Sequence, residues 1–307
     1  MAGAPLLALV GPTASGKTEA GLEVAEALGC EIVSVDSMLV YRGMDVGTAK
    51  PSAADRERVS HHLVDVAEPE EPFSVARYQT LAREAIADIE GRGRRALLIG
   101  GSGLYLRAVV DDLEFPGTDP AARGEFEAQA KVLGAEHLYA RLASMDPVAA
   151  AKIEPGNVRR TVRALEVAAI TGRAFSSFAA AWERYPADRV RAAGVDLPRD
   201  VLAKRIEARV ASMLDAGWLD EVGAMLDRGL FGWLTSSQAI GYAELARHLR
   251  GELSLEEAVA GTVKRTRALA RRQLAWFRRD PRIRWFEAGE DGAGAIVDEL
   301  VGYLRDD

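Results

Sequence analysis

One eight-residue motif near the N-terminus constrains the fold of this chain more than any other feature. It matches the pattern G-x-x-x-x-G-K-[ST] of phosphate-binding loops, in the order Gly11, Pro12, Thr13, Ala14, Ser15, Gly16, Lys17 and Thr18. The apolar run 6–10 before it predicts a buried strand, and 19–28 after it predicts an amphipathic helix. Because backbone N–H groups at a helix N-terminus attract anions, this context predicts a site for a di- or triphosphate. We expect Lys17 to reach the outer phosphate and the Thr18 hydroxyl to hold Mg²⁺.

The composition excludes several classes of protein. The chain has 307 residues, of which 48% are hydrophobic, and this length suits two domains or one domain with a large insertion. Its single cysteine, Cys30, allows no disulfide framework and no thiolate zinc site. No apolar stretch reaches the length of a membrane span, and no signal-peptide pattern opens the sequence. We therefore expect a cytoplasmic protein with no membrane partner.

Strand-like and helix-like segments alternate in the first part of the chain. Candidate strands lie at 5–10, 31–36, 62–66 and 95–99, and candidate helices at 17–28, 74–91 and 103–110. This alternation predicts an α/β fold of the P-loop NTPase type, with a mostly parallel sheet and helices on both faces. The turn at 100–103 follows a strand, which is where such folds bind ligands.

The pattern changes at Pro116. Only helical patterns follow as far as 187, at about 121–133, 136–144, 147–153 and 157–171. A strand then returns at 190–197, followed by helices at about 198–214, 217–228, 242–250 and 255–279, a short strand at 283–286 and a helix at 290–305. The sequence therefore predicts a catalytic core made of 1–116 and 188–307, interrupted by a helical insertion at 117–187.

Basic residues are concentrated in two segments of an otherwise acidic chain. The net charge is −7, yet residues 262–285 contain nine Lys and Arg residues and one acid, Asp280. A second cluster consists of Arg159, Arg160, Arg163 and Arg173. A solvated helix face accounts for one such cluster, but two clusters in a chain with a phosphate loop favour a nucleic-acid ligand.

The second strand ends at Asp36, and two roles are open for this acid. It could belong to the shell of a metal ion near the phosphate loop, or it could act as a general base toward a second substrate. The polar segment 38–51 that follows is too long for a simple connection, and loops of this length tend to be functional. In small kinases the corresponding region closes over an acceptor, so an ATP-dependent kinase is one reading of the site.

The combination of motifs resembles one family closely. The segments GPTASGKT, DSMLVYRGMDVGTAKP, HHLVDV, IGGSGLYLRAV, DPVAAAKIEPGNVRRTVRALEV, RIEARVASMLDAGWLDEV, QAIGYAEL and KRTRALARRQLAWFRRDPRIRWF occur in this order. They resemble the bacterial tRNA dimethylallyltransferases, also called tRNA isopentenyltransferases. The resemblance covers about residues 6–286.

The resemblance implies transfer of a dimethylallyl group from its diphosphate to the exocyclic amine of the adenosine 3′-adjacent to the anticodon, with release of pyrophosphate. The loop N–H groups, Lys17 and Mg²⁺ near Thr18 would then stabilise the departing charge. Arg205 and Arg209, one helical turn apart, could add a guanidinium clamp, or could form surface ion pairs with Glu207 or Asp200.

The same resemblance assigns the acceptor side. It implies that Asp36 accepts a proton or hydrogen bond from the adenine amine. It places tRNA contacts at Asp36, Ser37, Met38, Leu39, Ser102, Arg123, Arg159, Arg160, Arg163, Gln238, Gly241 and Tyr242. The helical insertion is read as a mobile arm for the tRNA anticodon stem-loop. Nothing in the sequence requires a protein partner, so we expect a monomer.

Two alternatives and one minor question stay open at this point. A small-molecule kinase shares the phosphate loop and sheet but leaves the basic segments unexplained. A nucleotide-switched RNA-binding module explains the charge but gives Asp36 no role. An apolar cavity beside the phosphate loop would favour a prenyl diphosphate over ATP. His61 and His62, at the start of the third strand, are read as structural rather than catalytic.

Overall fold

The computed structural model describes residues 4–111, 113–178 and 180–305. The chain forms two compact units, one made of 1–110 together with 187–307 and the other of 111–186. The second unit corresponds to the predicted insertion, although it begins at 111 rather than at 117. Among the described residues, no helix is both long and apolar enough to cross a membrane.

A six-stranded parallel sheet organises the first unit, which confirms the predicted fold class. Its strands are β1 (Leu6–Val10), β2 (Cys30–Val35), β3 (His61–His62), β4 (Arg95–Gly100), β5 (Val190–Asp196) and β6 (Ile283–Glu287). Their order in the sheet is β3-β2-β4-β1-β5-β6, and every pairing is parallel. The expected strand at 62–66 is wrong in extent, because Leu63 and Asp65 take left-handed backbone conformations (φ 63° and 57°) that end β3 after two residues.

Helices cover both faces of this sheet, close to the predicted positions. They are α1 (Lys17–Leu28), α2 (Ala53–Arg58), α3 (Val75–Gly91), α4 (Gly103–Val110), α9 (Arg199–Asp215), α10 (Trp218–Asp227), α11 (Tyr242–Leu249), α12 (Leu255–Phe277) and α13 (Val297–Arg305), with the four helices of the insertion numbered between α4 and α9. Helix α2 was not among the helices predicted from the sequence. Its six residues are polar and have no apolar periodicity, but Ser52 and Asp55 form a capping box that starts the helix.

The strands alternate their side chains between two apolar layers. Ala8, Val10 and Val33 pack on one face, and Leu7, Leu9 and Ile32 pack on the other. Because all strands run in one direction, their carboxyl ends share one edge of the sheet. The phosphate loop, the loop after Asp36 and the turn at 100–103 all start from that edge.

The insertion has a small core of its own. Its helices are α5 (Pro120–Leu133), α6 (Ala135–Met145), α7 (Pro147–Ala150) and α8 (Val158–Thr171). Phe126, Leu142 and Leu165 are among its buried apolar residues. The Asp119 carboxylate caps α5, and the Asn157 amide oxygen accepts the Arg160 N–H at the start of α8.

Candidate functional site

The phosphate loop has the predicted strand–loop–helix geometry. It connects β1 to α1, with Ala14 and Gly16 in the left-handed region (φ 64° and 84°). A Cβ at Gly11 would lie 3.1 Å from the Val195 carbonyl oxygen, so the loop packs tightly on β5 at this point. The buried Ser15 carbonyl accepts the Ala293 N–H at 3.1 Å, which ties the loop to the segment before α13.

Lys17 is buried inside the loop. Its Nζ donates to the Pro12 carbonyl at 3.1 Å. Burial and the nearby Arg209 lower the pKa of Lys17 to about 8, although Asp36 acts in the opposite direction. Among the described residues no carboxylate accepts a hydrogen bond from this ammonium group, which leaves its charge available to an anionic ligand.

Arg205 and Arg209 both reach the phosphate loop from α9. Arg209 Nη1 donates to Thr13 Oγ1 at 3.2 Å, and Arg205 Nε donates to the Ala14 carbonyl at 3.1 Å. Neither arginine pairs with Glu207 or Asp200 in the part of the chain that the structure describes, and Glu207 instead accepts from Arg267. Burial lowers the pKa of Arg209, and Asp36 partly compensates. Arg209 lines both cavities described below, whereas Arg205 lines only the smaller one.

Two adjoining cavities meet at the phosphate loop. The larger has a volume of about 850 Å³ and the smaller about 710 Å³, and Lys17, Thr18, His61 and Arg209 line both. The apolar residues in the larger cavity's wall include Ile32, Met38, Ile99, Ile206, Val210, Met213, Leu269 and Trp276. An apolar wall beside a phosphate loop is the feature that the sequence analysis associated with a prenyl diphosphate.

The residues present fit a magnesium ion bound together with a ligand. The Thr18 side chain is exposed, and it shares the larger cavity with Asp36. In the described ranges, no group of three or more His, Cys, Asp or Glu side chains could hold a metal by itself. Mg²⁺ keeps several waters and commonly binds through one or two protein oxygens and substrate phosphates, so this sparse donor set suits it.

Asp36 lies at the carboxyl end of β2 and faces the larger cavity. Its Oδ1 accepts the Met38 N–H at 2.8 Å, which fixes the carboxylate at the start of the following loop. Ser37, Met38 and Leu39 line the same cavity. Ser34, two residues earlier on the strand, also lines it, and its buried hydroxyl has no hydrogen-bond partner among the described residues. Ser34 was not predicted as a site residue. Its position two residues before Asp36 does indicate that both side chains lie on the same face of the strand.

The turn at 100–103 forms the other side of the cavity, and it contains Ser102 as predicted. Ser102 Oγ accepts the Tyr105 N–H at 3.3 Å and thereby starts α4. Gln273 of α12 lies against this turn, because a Cβ at Gly101 would be 2.2 Å from its Nε2. Gln273 Oε1 also accepts the Thr13 N–H at 2.8 Å. This link between α12 and the phosphate loop spans 260 positions, and no local sequence pattern could have indicated it.

The turn at 238–242 only partly matches its predicted role. Gln238 is exposed at the larger cavity, and its amide donates to the Leu234 carbonyl. Gly241 and Tyr242 instead belong to the interior. A Cβ at Gly241 would be 2.1 Å from the Trp218 ring, and the Tyr242 side chain is fully buried with its hydroxyl donating to Glu221. We therefore correct the prediction for Tyr242, since its side chain has no surface to offer tRNA.

The predicted tRNA residues of the insertion fall into two groups. Arg123 and Arg163 donate to Glu166, whose carboxylate is completely buried. Burial alone would raise the pKa of Glu166, but these hydrogen bonds outweigh it and hold the pKa below its usual value. Arg159 and Arg160 are exposed and form no ion pair in the part of the chain that the structure describes. The two pairs of arginines thus differ, because only Arg159 and Arg160 present uncompensated charge.

The two histidines have structural contacts, as predicted. His62 Nε2 lies 2.7 Å from Glu31 Oε2, and Arg92 also donates to this buried carboxylate. His61 Nδ1 lies 2.7 Å from the Val59 carbonyl oxygen. Burial lowers the pKa of His61, so the ring is neutral at physiological pH.

The chain is similar to known proteins in sequence and in fold. The family model for "IPP transferase" matches residues 39–280 of the chain. A tRNA dimethylallyltransferase of Desulforudis audaxviator (strain MP104C) is 47% identical over 303 residues, which cover 98% of each sequence. A crystal structure of the tRNA isopentenylpyrophosphate transferase from Bacillus halodurans is 39% identical with a TM-score of 0.70, over 99% of this chain and 97% of that one. A eukaryotic dimethylallyltransferase acting on tRNA is similar in fold, with a TM-score of 0.79 at 23% identity, over 94% of this chain and 74% of that one.

Proposed function

This chain belongs to the IPP transferase family, and we propose that it transfers a dimethylallyl group from dimethylallyl diphosphate to the exocyclic amine of the adenosine 3′-adjacent to the anticodon in tRNA. The enzymatic class, prenyl transfer to tRNA, follows from the family. The observation that carries the finer proposal is that Asp36, the buried Lys17 and the half-buried Arg209 line one cavity with a partly apolar wall. No relative described above supports the ATP-dependent kinase alternative.

The leaving-group side of the reaction is the phosphate loop. As the bond from the allylic carbon to oxygen breaks, negative charge develops on the departing pyrophosphate. The N–H groups at the start of α1, the Lys17 ammonium and the Arg209 guanidinium are fixed in place before the ligand arrives. Donors that need no reorganisation stabilise such charge most effectively, and removing a single one commonly costs about 100- to 1,000-fold in rate.

Magnesium is the cofactor that we propose. When bound, Mg²⁺ neutralises part of the diphosphate charge. Thr18 would hold it through its hydroxyl, and Asp36 lines the same cavity.

The acceptor side is Asp36. The adenine amine is a weak nucleophile, so its orientation toward the allylic carbon matters more than the strength of the base. As the new carbon–nitrogen bond forms, the nitrogen becomes positively charged, and Asp36 accepts the proton that it releases. The Met38 N–H holds the carboxylate in place for this step.

The target base must leave its stack to reach Asp36 inside the cavity. Ser37, Met38, Leu39, Ser102 and Gln238 line that cavity, so we propose that they contact the flipped nucleotide. Arg159 and Arg160 offer exposed charge for the phosphates of the anticodon stem-loop. We propose that the insertion acts as the tRNA-binding arm, and that the enzyme works as a monomer in the cytoplasm.

The test is transfer of radiolabelled dimethylallyl diphosphate to unmodified tRNA in the presence of Mg²⁺. We expect label in the tRNA with the wild-type protein and a loss of about 100-fold or more in Lys17→Ala and Asp36→Ala. Asp298→Asn, which removes an exposed acid of α13, is the matched control and should retain full activity. No label, together with ATP consumption, would support the kinase instead and refute the proposal.

A further inference from the structure

One carboxylate holds the loop that follows Asp36. Glu221, in the first turn of α10, accepts the N–H groups of Asp45 and Val46 at 2.7 Å each and that of Gly47 at 3.0 Å. The Tyr242 hydroxyl donates a fourth hydrogen bond at 2.6 Å. Burial raises the pKa of Tyr242, so this hydroxyl is a neutral donor. Charge-assisted hydrogen bonds of this kind are about twice as strong as neutral ones.

The same short segment forms part of the cavity wall. Gly47, Thr48 and Ala49 line the larger cavity together with Asp36. Only Ala49 of these three also lines the smaller cavity at the phosphate loop. Of the three residues whose N–H groups Glu221 accepts, Gly47 lines the acceptor side of the site, and Asp45 and Val46 lead directly into it.

A second anchor lies just beyond this wall. The Lys50 ammonium is almost completely buried, and it donates to the Tyr41 carbonyl and to Asp65 at 2.6 Å each. It also donates to the Asp45 carboxylate. Glu221 on one side and Lys50 on the other thus restrain segment 45–49 in the conformation that the structure shows.

Packing also restrains this segment at Gly47. A Cβ at Gly47 would lie 2.0 Å from Trp218 Nε1 and 2.7 Å from the Tyr242 ring. Trp218 precedes Glu221 by one turn of α10. The same helix end therefore supplies both the ring that packs against Gly47 and the carboxylate that accepts its N–H. The glycine allows the backbone to approach closely enough for the three N–H groups to reach Glu221.

We propose that Glu221 is a positioning residue for prenyl transfer, which holds the 45–49 wall in the conformation that receives the tRNA acceptor nucleotide. This proposal rests on the function proposed above. Glu221 acts through the backbone of Asp45, Val46 and Gly47 and contacts no substrate itself. Small displacements of a substrate-positioning group cost up to about 100-fold, so the anchor should matter for rate as well as for folding.

Steady-state kinetics of Glu221→Ala, Glu221→Gln and Tyr242→Phe test this role. We expect kcat/KM for tRNA to fall at least about tenfold in Glu221→Ala, with KM for dimethylallyl diphosphate changed less than about twofold. Glu221→Gln, which keeps one acceptor oxygen, should recover part of the loss, and Tyr242→Phe should cost about threefold or less. The control Ile89→Ala removes a buried side chain of α3 that lines neither cavity. It should lower the melting temperature without changing either KM.

Hydrogen exchange supplies a readout independent of activity. In the ligand-free protein the amides of Asp45, Val46 and Gly47 should be protected, and Glu221→Ala should abolish that protection while the β-sheet amides keep theirs. Unprotected amides in the wild type, or normal tRNA kinetics in Glu221→Ala, would overturn the proposal. If the wild type transfers no label to tRNA, the function itself has failed, and the exchange data still show whether Glu221 anchors the segment.

Discussion

The titration of Lys17 leads to a quantitative prediction about substrate binding. Raising the pH from 7 to 9 should weaken the binding of a prenyl diphosphate about tenfold. Burial and Arg209 place the pKa of the free Lys17 ammonium at about 8, against the opposing effect of Asp36. Only the charged form of Lys17 contributes its positive charge to diphosphate binding.

The magnitude follows from that pKa. With a pKa of about 8, Lys17 is roughly 90% charged at pH 7 and roughly 9% charged at pH 9, which is about a tenfold change in the competent form. A bound diphosphate restores the ordinary preference for the charged amine. Binding at pH 8 should therefore take up about half a proton per ligand.

The assay is calorimetric titration with a non-reactive dimethylallyl diphosphate analogue at constant excess Mg²⁺. Two buffers with different ionisation enthalpies report the proton uptake. Lys17→Arg is the control, because arginine keeps its charge throughout this range. His61 does not interfere, since burial lowers its pKa and the ring stays neutral above pH 7. An affinity that is constant from pH 7 to 9, or an equal pH dependence in Lys17→Arg, would refute the reasoning.

Three further predictions concern single residues. Arg209→Ala should lower kcat/KM about 100- to 1,000-fold in the labelling assay, and Arg209→Lys should recover it only in part because lysine has no planar fork of donors. Full activity in Arg209→Ala would contradict the leaving-group role. Glu166→Ala leaves Arg123 and Arg163 without their buried partner, so it should destabilise the insertion by about 3–5 kcal/mol, seen as faster amide exchange in its helices. Unchanged exchange would argue against that ion-pair group. Ser34→Ala removes a buried, unpaired hydroxyl, so the free energy of unfolding should stay equal or rise by about 1 kcal/mol in chemical denaturation, and a clear loss would reveal a missed partner.

The sequence predicts best what neighbouring residues determine. The phosphate loop, β1 and α1 follow from one motif with its flanking apolar patterns, and the sheet follows from the alternation of strands and helices. Helix α2 escaped notice because hydrophobic periodicity cannot reveal a short polar helix, whereas its capping box could have done so. The length of β3 was overestimated because the residue types around Leu63 do not reveal its left-handed backbone conformation.

Individual site residues could be predicted only where nearby residues determine the local structure. Asp36 and Ser102 lie at strand ends, so their convergence follows from a parallel sheet. The hydrogen bonds that the Thr13 N–H donates to Gln273 and the Gly47 N–H donates to Glu221 join segments that are distant in the sequence. No sequence periodicity indicates them. Tyr242 is a residue that was named in advance but given the wrong role. The resemblance assigned it a tRNA contact, whereas the structure shows a buried side chain whose hydroxyl donates to Glu221, the residue that holds the loop after Asp36.

The distant partners of Thr13 also determine when the enzyme gains its site during synthesis. Proteins emerge from the ribosome N-terminus first, so the phosphate loop appears early. Its contacts with Arg209 and Gln273 span 196 and 260 positions, and β1 meets β5 only after the insertion has been made. A nascent or truncated chain therefore carries the motif without the cations and the amide that complete it. Incomplete products should not sequester the prenyl donor, because its binding site is finished only when translation is nearly over.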